Sequence, residues 1–282
     1  MRSAPHEFHP AFTPLRCNVA VERKTAIVAT SVITGVGAAV LSGRALLARQ
    51  AAVARRRIGK PLGEQGIDAD RVWRPGLGGE PVELLVLGDS IAAGLGAERR
   101  KDTLGARIAK GVAKIIGRPV RLTTRAVVGA STSALGDQID GLDPDYRPDV
   151  AVIVVGGNDV THRVPISQSV EHLTHAIQRL RGRDIAVVVG TCPDLGALRP
   201  VPQPLRHLGS RISRALAHAQ ADAARAAGAL PVSLRRAVGP VFISHPDEMF
   251  SLDRFHPSAL GYRRTAEALI PAVLAQLQHP AA

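Results

Sequence analysis

LLVLGDSIAAGLGA, residues 84–97, is the stretch on which the reading of this chain turns. Four apolar residues run straight into Gly88-Asp89-Ser90, and small residues follow. A continuous apolar run of this length, bounded by glycine, reads as a strand buried on both faces. Its end presents a carboxylate and a hydroxyl, which a purely structural strand has no need of.

The strand is the first of a series. Further apolar runs occupy 119–128, 149–155 and 185–190, with a short one at 229–234. Helix-period stretches lie between and after them, near 103–116, 131–139, 168–182, 208–227 and 258–277. Apolar strands alternating with helices predict an α/β fold, a three-layer sandwich with about five parallel strands and helices on both faces.

In open parallel sheets, ligands bind beyond the C-terminal strand ends. Gly88-Asp89-Ser90 follows the first strand and Gly129-Ala130-Ser131 the second. Gly156-Gly157-Asn158-Asp159 follows the third, and Asp253-Arg254-Phe255-His256-Pro257 precedes the last helix. In this order and at these places, the blocks resemble those of the SGNH hydrolases, the GDSL esterase/lipase family. The resemblance covers roughly residues 82–275 and implies a flavodoxin-like hydrolase fold. Ile91 stands where the family often has leucine. The resemblance implies Ser90 as nucleophile, Asp253 and His256 as its partners, and Ser90, Gly129 and Asn158 as oxyanion-hole donors.

The chemistry agrees with that assignment. A serine hydroxyl needs a base to take its proton. His256 has an acid three residues earlier, so Asp253 can accept from Nδ1 and leave Nε2 facing Ser90. Pro257 suits the first position of a helix, which would set His256 at a helix N-terminus. The oxyanion needs preorganised donors. Those are the Gly129 N–H, the Asn158 amide, and the Ser90 N–H at a turn expected to lead into a helix. Asp89 and Asp159 read as loop-bonding structural acids, Ser131 and Ser133 as cap or surface residues, and Cys192 as a small buried thiol. No cofactor is expected. Gly35-Val36-Gly37 lacks the strand, third glycine and acid of a dinucleotide site. No metal is expected either, since His172 and His175 have no acid cluster beside them.

Net charge is +12, yet residues 1–60 hold ten Lys/Arg against two acids. The basic excess thus belongs mostly to an N-terminal arm poor in aromatics, which argues against nucleic acid and for a membrane surface. Residues 25–43 carry no charge, and as a helix they would span about 28 Å, near the thickness of a bilayer core. A membrane anchor, a cleaved export signal and a buried helix all fit, with no clear cleavage site after the run. The expected organisation is an N-terminal extension (1–24), the anchor or signal (25–43), a basic linker (44–80) and the hydrolase domain (81–282). The chain is then anchored or exported to the cell envelope. More basic residues follow the run than precede it, which by the positive-inside rule would keep the domain on the cytoplasmic side.

The expected function is a serine esterase acting on small-molecule or lipid acyl esters. Transfer or removal of acyl groups on envelope glycans or lipids uses the same residues and stays open, as does a non-catalytic membrane-associated binding module. Nothing points to an obligate protein partner. The Pro-rich segment 192–207 and residues 240–252 are placed to wall an acyl pocket.

Overall fold

The computed structural model describes residues 41–278. The chain forms two units, Met1–Ala48 and Arg49–Ala282. Of the first, residues 41–48 are described and are helical. The apolar run 25–43 lies outside the described residues save for its last three. Among the described residues, no helix is long and apolar enough to cross a membrane.

Helix α1 (41–58) precedes a six-stranded sheet. The strands are β1 (Val72–Trp73), β2 (Val82–Gly88), β3 (Val120–Thr124), β4 (Val150–Val154), β5 (Ala186–Gly190) and β6 (Leu230–Val232), in the spatial order β1-β3-β2-β4-β5-β6. All neighbours are parallel except β1, which pairs antiparallel with β3. The fold is therefore α/β with a mostly parallel sheet, one edge strand richer than the sequence predicts. That edge forms where a linker was expected. The Asp70 carboxylate accepts from Thr124 N at 2.9 Å and Leu122 N donates to Arg71 O at 3.0 Å, which aligns 70–73 along β3. Strand β3 is also shorter than expected, although Arg125 and Val127 still donate to the Val86 and Gly88 carbonyls.

Alternation along the strands explains why their sequences are apolar throughout. Leu84 and Val86 of β2, with Val150 and Val152 of β4, face one core; Leu85 and Leu87, with Ala151 and Ile153, face the other. Helices α2 (Leu104–Ile116) and α10 (Ala259–Gln278) cover the first face with Leu104, Ile108, Tyr262 and Leu269. Helices α3 (Leu135–Asp140) and α5 (Ile166–Arg181) cover the second with Leu135, Ile139, Leu173 and Ile177. Between α3 and α5, the six-residue α4 (Gly157–His162) follows β4 directly. The long α6 (Leu205–Ala226) follows β5, and three short helices, α7 (Leu234–Ala237), α8 (Gly239–Ser244) and α9 (Pro246–Met249), follow β6.

The order of the parallel strands reverses at β2 and β4, so their C-terminal ends flank the crevice where such sheets bind ligands. Two buried glutamines fix these ends. Gln138 on α3 accepts from Gly88 N and donates to Gly88 O, both at 2.8 Å. Gln220 on α6 accepts from Cys192 N at 2.7 Å and donates to Val155 O at 3.1 Å, joining the ends of β4 and β5.

Gly88 itself has φ +130°, and a Cβ there would lie 1.9 Å from Val154 O. Gly88→Ala combines left-handed strain with a backbone clash, so it should cost on the order of 3 kcal/mol in urea unfolding. An unchanged unfolding midpoint would show that the strand end relaxes freely.

Candidate active site

The Gly88-Asp89-Ser90 block leaves β2 as a series of turns, and no regular helix forms directly after Ser90. This corrects the expectation of a helix there, and glycine conformation explains it. Gly96 has φ +104°, and a Cβ on it would meet Pro257 O at 2.6 Å and His256 Cβ at 3.1 Å. The loop must therefore lie directly against the histidine block, which a helix would not allow. The Tyr262 hydroxyl, fully buried on α10, pins the same loop by donating to Leu95 O at 2.6 Å.

His256 sits in the loop before α10. Its Nε2 is 2.9 Å from Ser90 Oγ, and its Nδ1 is 2.6 Å from Asp253 Oδ2. The other oxygen of Asp253 shapes the loop, accepting from Phe255 N and His256 N at 2.9 Å each and from Ser251 Oγ at 3.0 Å. This is the physical content of the three-residue spacing: one carboxylate folds the turn and holds the ring that the turn carries. Burial pushes the Asp253 carboxyl up, but the hydrogen bonds from His256 and Phe255 outweigh it and hold the group below its usual range. Pro257 does not open the helix as expected. It pairs with Phe250 in an isolated bridge, and Ser258 caps α10 by accepting from Gly261 N at 3.1 Å.

Asn158 stands in the first turn of α4. Its Nδ2 donates to Ala130 O at 2.9 Å, which ties it to the block containing Gly129. That bond uses one amide hydrogen and leaves the other free. Neither the Ser90 N–H nor the Gly129 N–H is bonded to another described residue. Ser90 and Asn158 line the same cleft.

The neighbouring polar residues brace the loops. Asp159 is buried, and both its oxygens accept from Thr132 N, at 3.0 and 3.3 Å. Ser131 does not act as a side-chain cap; its hydroxyl pairs with His162 Nδ1 at 3.2 Å. Cys192 is buried, and burial pushes its thiol well above the usual range. Gln138 and Gln220 are the supporting residues that the sequence reading missed. Each occupies the apolar face of its helix, Gln138 between Leu135 and Ile139 and Gln220 four residues after Leu216, and that placement was the available signal.

The cleft is open to solvent. Ser90 and Asn158 are among the residues that line it. Its apolar lining comes from Leu195, Ala197 and Leu198 after β5 and from Val238, Phe242 and Phe250 after β6. Phe242 and Phe250 meet edge to face, with centroids 5.1 Å apart.

Asp89 is the unusual charge. It is buried, and burial raises its carboxyl from 3.8 to about 6 against the opposing pull of the Ile91 N–H and the His256 ring, with Asp159 adding to the rise. The folded protein thus holds this proton more tightly than the unfolded chain does, so this group's contribution to stability falls as pH rises from about 4 to about 6. Asp89→Asn removes the titration and leaves that of Asp253 in both proteins. The stability of Asp89→Asn relative to the parent, measured by urea melts, should therefore rise from about pH 4 to about pH 6 and level off above. A difference independent of pH would contradict this assignment.

Comparison with known proteins agrees with the geometry. Residues 86–264 match the GDSL-like Lipase/Acylhydrolase family. GDSL-like esterase Rv1075c of Mycobacterium tuberculosis (strain ATCC 25618 / H37Rv) is 40% identical over 264 residues, covering 89% of this chain and 83% of that protein. Among solved structures, the lipase Lip_vut3 from a goat rumen metagenome aligns with a TM-score of 0.56 at 18% identity, over 70% of this chain and 99% of its own. A catalytic mutant of Axe2, an acetylxylan esterase from Geobacillus stearothermophilus, aligns with a TM-score of 0.55 at 18% identity, over 69% of this chain and 95% of its own. At these identities the two structures speak for the fold. The chain belongs to the GDSL-like lipase/acylhydrolase family and is an SGNH-type carboxylic ester hydrolase.

Proposed function

We propose that the chain hydrolyses acyl esters through an acyl-enzyme intermediate on Ser90. The observation that carries this reading is the hydrogen-bonded line from Ser90 Oγ through the His256 ring to Asp253. As Oγ attacks the ester carbonyl carbon, His256 Nε2 takes its proton, and Asp253 holds the Nδ1–H of the imidazolium. Negative charge grows on the carbonyl oxygen, and the N–H groups of Ser90 and Gly129 with the free amide hydrogen of Asn158 stabilise it. Collapse of the tetrahedral species breaks the bond to the alcohol, which leaves with the proton from His256. Water then enters, gives a proton to His256 and attacks the acyl carbon; collapse of the second tetrahedral species breaks the bond to Ser90 Oγ, which regains the proton from His256 as the carboxylic acid leaves. The apolar cleft receives the acyl chain, and the alcohol faces solvent. No step calls for a metal or cofactor.

A panel of nitrophenyl esters from acetate to palmitate tests the reading, with Ser90→Ala as control. Asn158→Ala should fold and lose ~10²–10³ in kcat, with a smaller change in KM, because its amide acts mainly on the developing charge. Asn158→Asp should be at least as impaired. Lower melting temperature with kcat per folded molecule intact would assign Asn158 a structural role and remove it from the oxyanion hole.

We also propose that residues 25–43 attach the chain to a membrane, with Arg44, Arg49, Arg55 and Arg56 against its anionic face. The length and lack of charge of the run support this. Full-length protein should remain in the membrane fraction after a carbonate wash. Recovery of the untrimmed chain in the supernatant would contradict it.

A further inference from the structure

Helix α1 lies outside the residues that match the family, yet its second half bonds to the segment that walls the cleft. Gln50, Ala54 and Arg57 lie along one helical face, and Ala54 is buried. The Gln50 amide makes two bonds, one on each side of Pro204. Its Nε2 donates to Gln203 O at 2.5 Å, and its Oε1 accepts from Leu205 N at 3.0 Å. Leu205 is the first residue of α6, and its N–H is one of the donors that a helix cannot satisfy internally. Gln50 therefore acts as a tertiary cap. Arg57 Nη1 adds a bond to Pro200 O at 3.3 Å.

The same segment forms one wall of the cleft a few residues upstream. The beginning of this wall is fixed by α6: Asp194 Oδ1 accepts from Ser210 Oγ at 2.7 Å, and Leu195 N donates to Ser213 Oγ at 3.2 Å. The far part, Leu198 to Leu205, is tied from three directions. The first turn of α6 bonds back to it, Arg206 N to Pro202 O at 2.9 Å, Leu208 N to Pro204 O at 3.1 Å and His207 N to Gln203 Oε1 at 3.1 Å. Arg199 reaches Ile243 O of α8 at 3.2 Å, and Gln50 and Arg57 supply the bonds from α1.

We infer that Gln50 and Arg57 are positioning residues for acyl-chain specificity, holding the segment from Leu198 to Leu205 so that Leu198 forms a fixed wall against the chain. The inference rests on the reading of the cleft as the acyl site. An acetyl group occupies the space beside Ser90 and does not depend on that wall, whereas an octanoyl chain lies along it. The N-terminal segment is then part of the specificity apparatus and more than a connection.

The experiment uses the full chain with Gln50→Ala, Arg57→Ala, the double variant and Leu198→Ala, assayed on nitrophenyl acetate and octanoate. Losing these hydrogen bonds should raise KM for octanoate about tenfold in the double variant, while kcat/KM for acetate stays within about twofold. Combining the double variant with Leu198→Ala should give less than the sum of their separate effects, because they act on one wall. Arg57→Ala alters an exposed side chain and should shift octanoate KM in the same direction even if Gln50→Ala folds poorly. Equal losses on both esters, no loss on either, or strict additivity with Leu198→Ala would overturn the positioning role. Octanoate hydrolysis at the parent rate by Ser90→Ala would instead overturn the esterase reading of the cleft.

Discussion

The two oxygens of the Asp253 carboxylate hold the site together. Oδ1 gathers the backbone N–H groups of Phe255 and His256 into a turn, while Oδ2 holds the imidazole that this turn presents. Without the first set of bonds the histidine loop has no fixed shape, and without the second its ring has no fixed tautomer. The distance from Nε2 to Ser90 Oγ depends on both. The serine side of that contact is fixed as firmly, by Gly96 lying against the histidine block and by Tyr262 pinning the loop from α10. An imidazole and a serine hydroxyl 166 residues apart in sequence are thereby brought within hydrogen-bond reach.

Behind this contact lies a set of buried polar clamps. Gln138 holds the end of β2, Gln220 joins the ends of β4 and β5, and Asp159 ties α4 to the loop at Thr132. The glutamines satisfy backbone groups at strand ends, and Asp159 a loop N–H, in a low-dielectric interior where an orphaned group costs about 1–3 kcal/mol. Asp89 is desolvated at the same place, and burial raises its carboxyl to about 6. The supports of the polar site are buried, and Ser131 and His162 pair in an exposed position beside it.

The parallel strands were legible because burial on both faces makes their sequences continuous apolar runs, and the strand-end blocks stood out by their glycines. The structure brings Ser90, His256 and Asp253 into one hydrogen-bonded line and ties Asn158 to the carbonyl beside Gly129. What was not legible depends on tertiary partners. The two-residue β1 has no periodicity of its own and exists through the Asp70–Thr124 bond. A turn rather than a helix follows Ser90 because another loop presses on Gly96. The glutamine clamps resemble surface residues until the helix faces are drawn, and nothing in the sequence of α1 shows that Gln50 caps a helix more than a hundred residues away.

Covalent acylation of Ser90 during turnover can be caught by rapid acid quenching followed by intact-protein and peptide mass spectrometry. With a nitrophenyl ester in excess, the protein should gain the mass of one acyl group, on the peptide containing Ser90, and the adduct should vanish as substrate is consumed. An active enzyme that carries its acyl group on Ser131, or that shows a pre-steady-state burst with no adduct on Ser90, would contradict it.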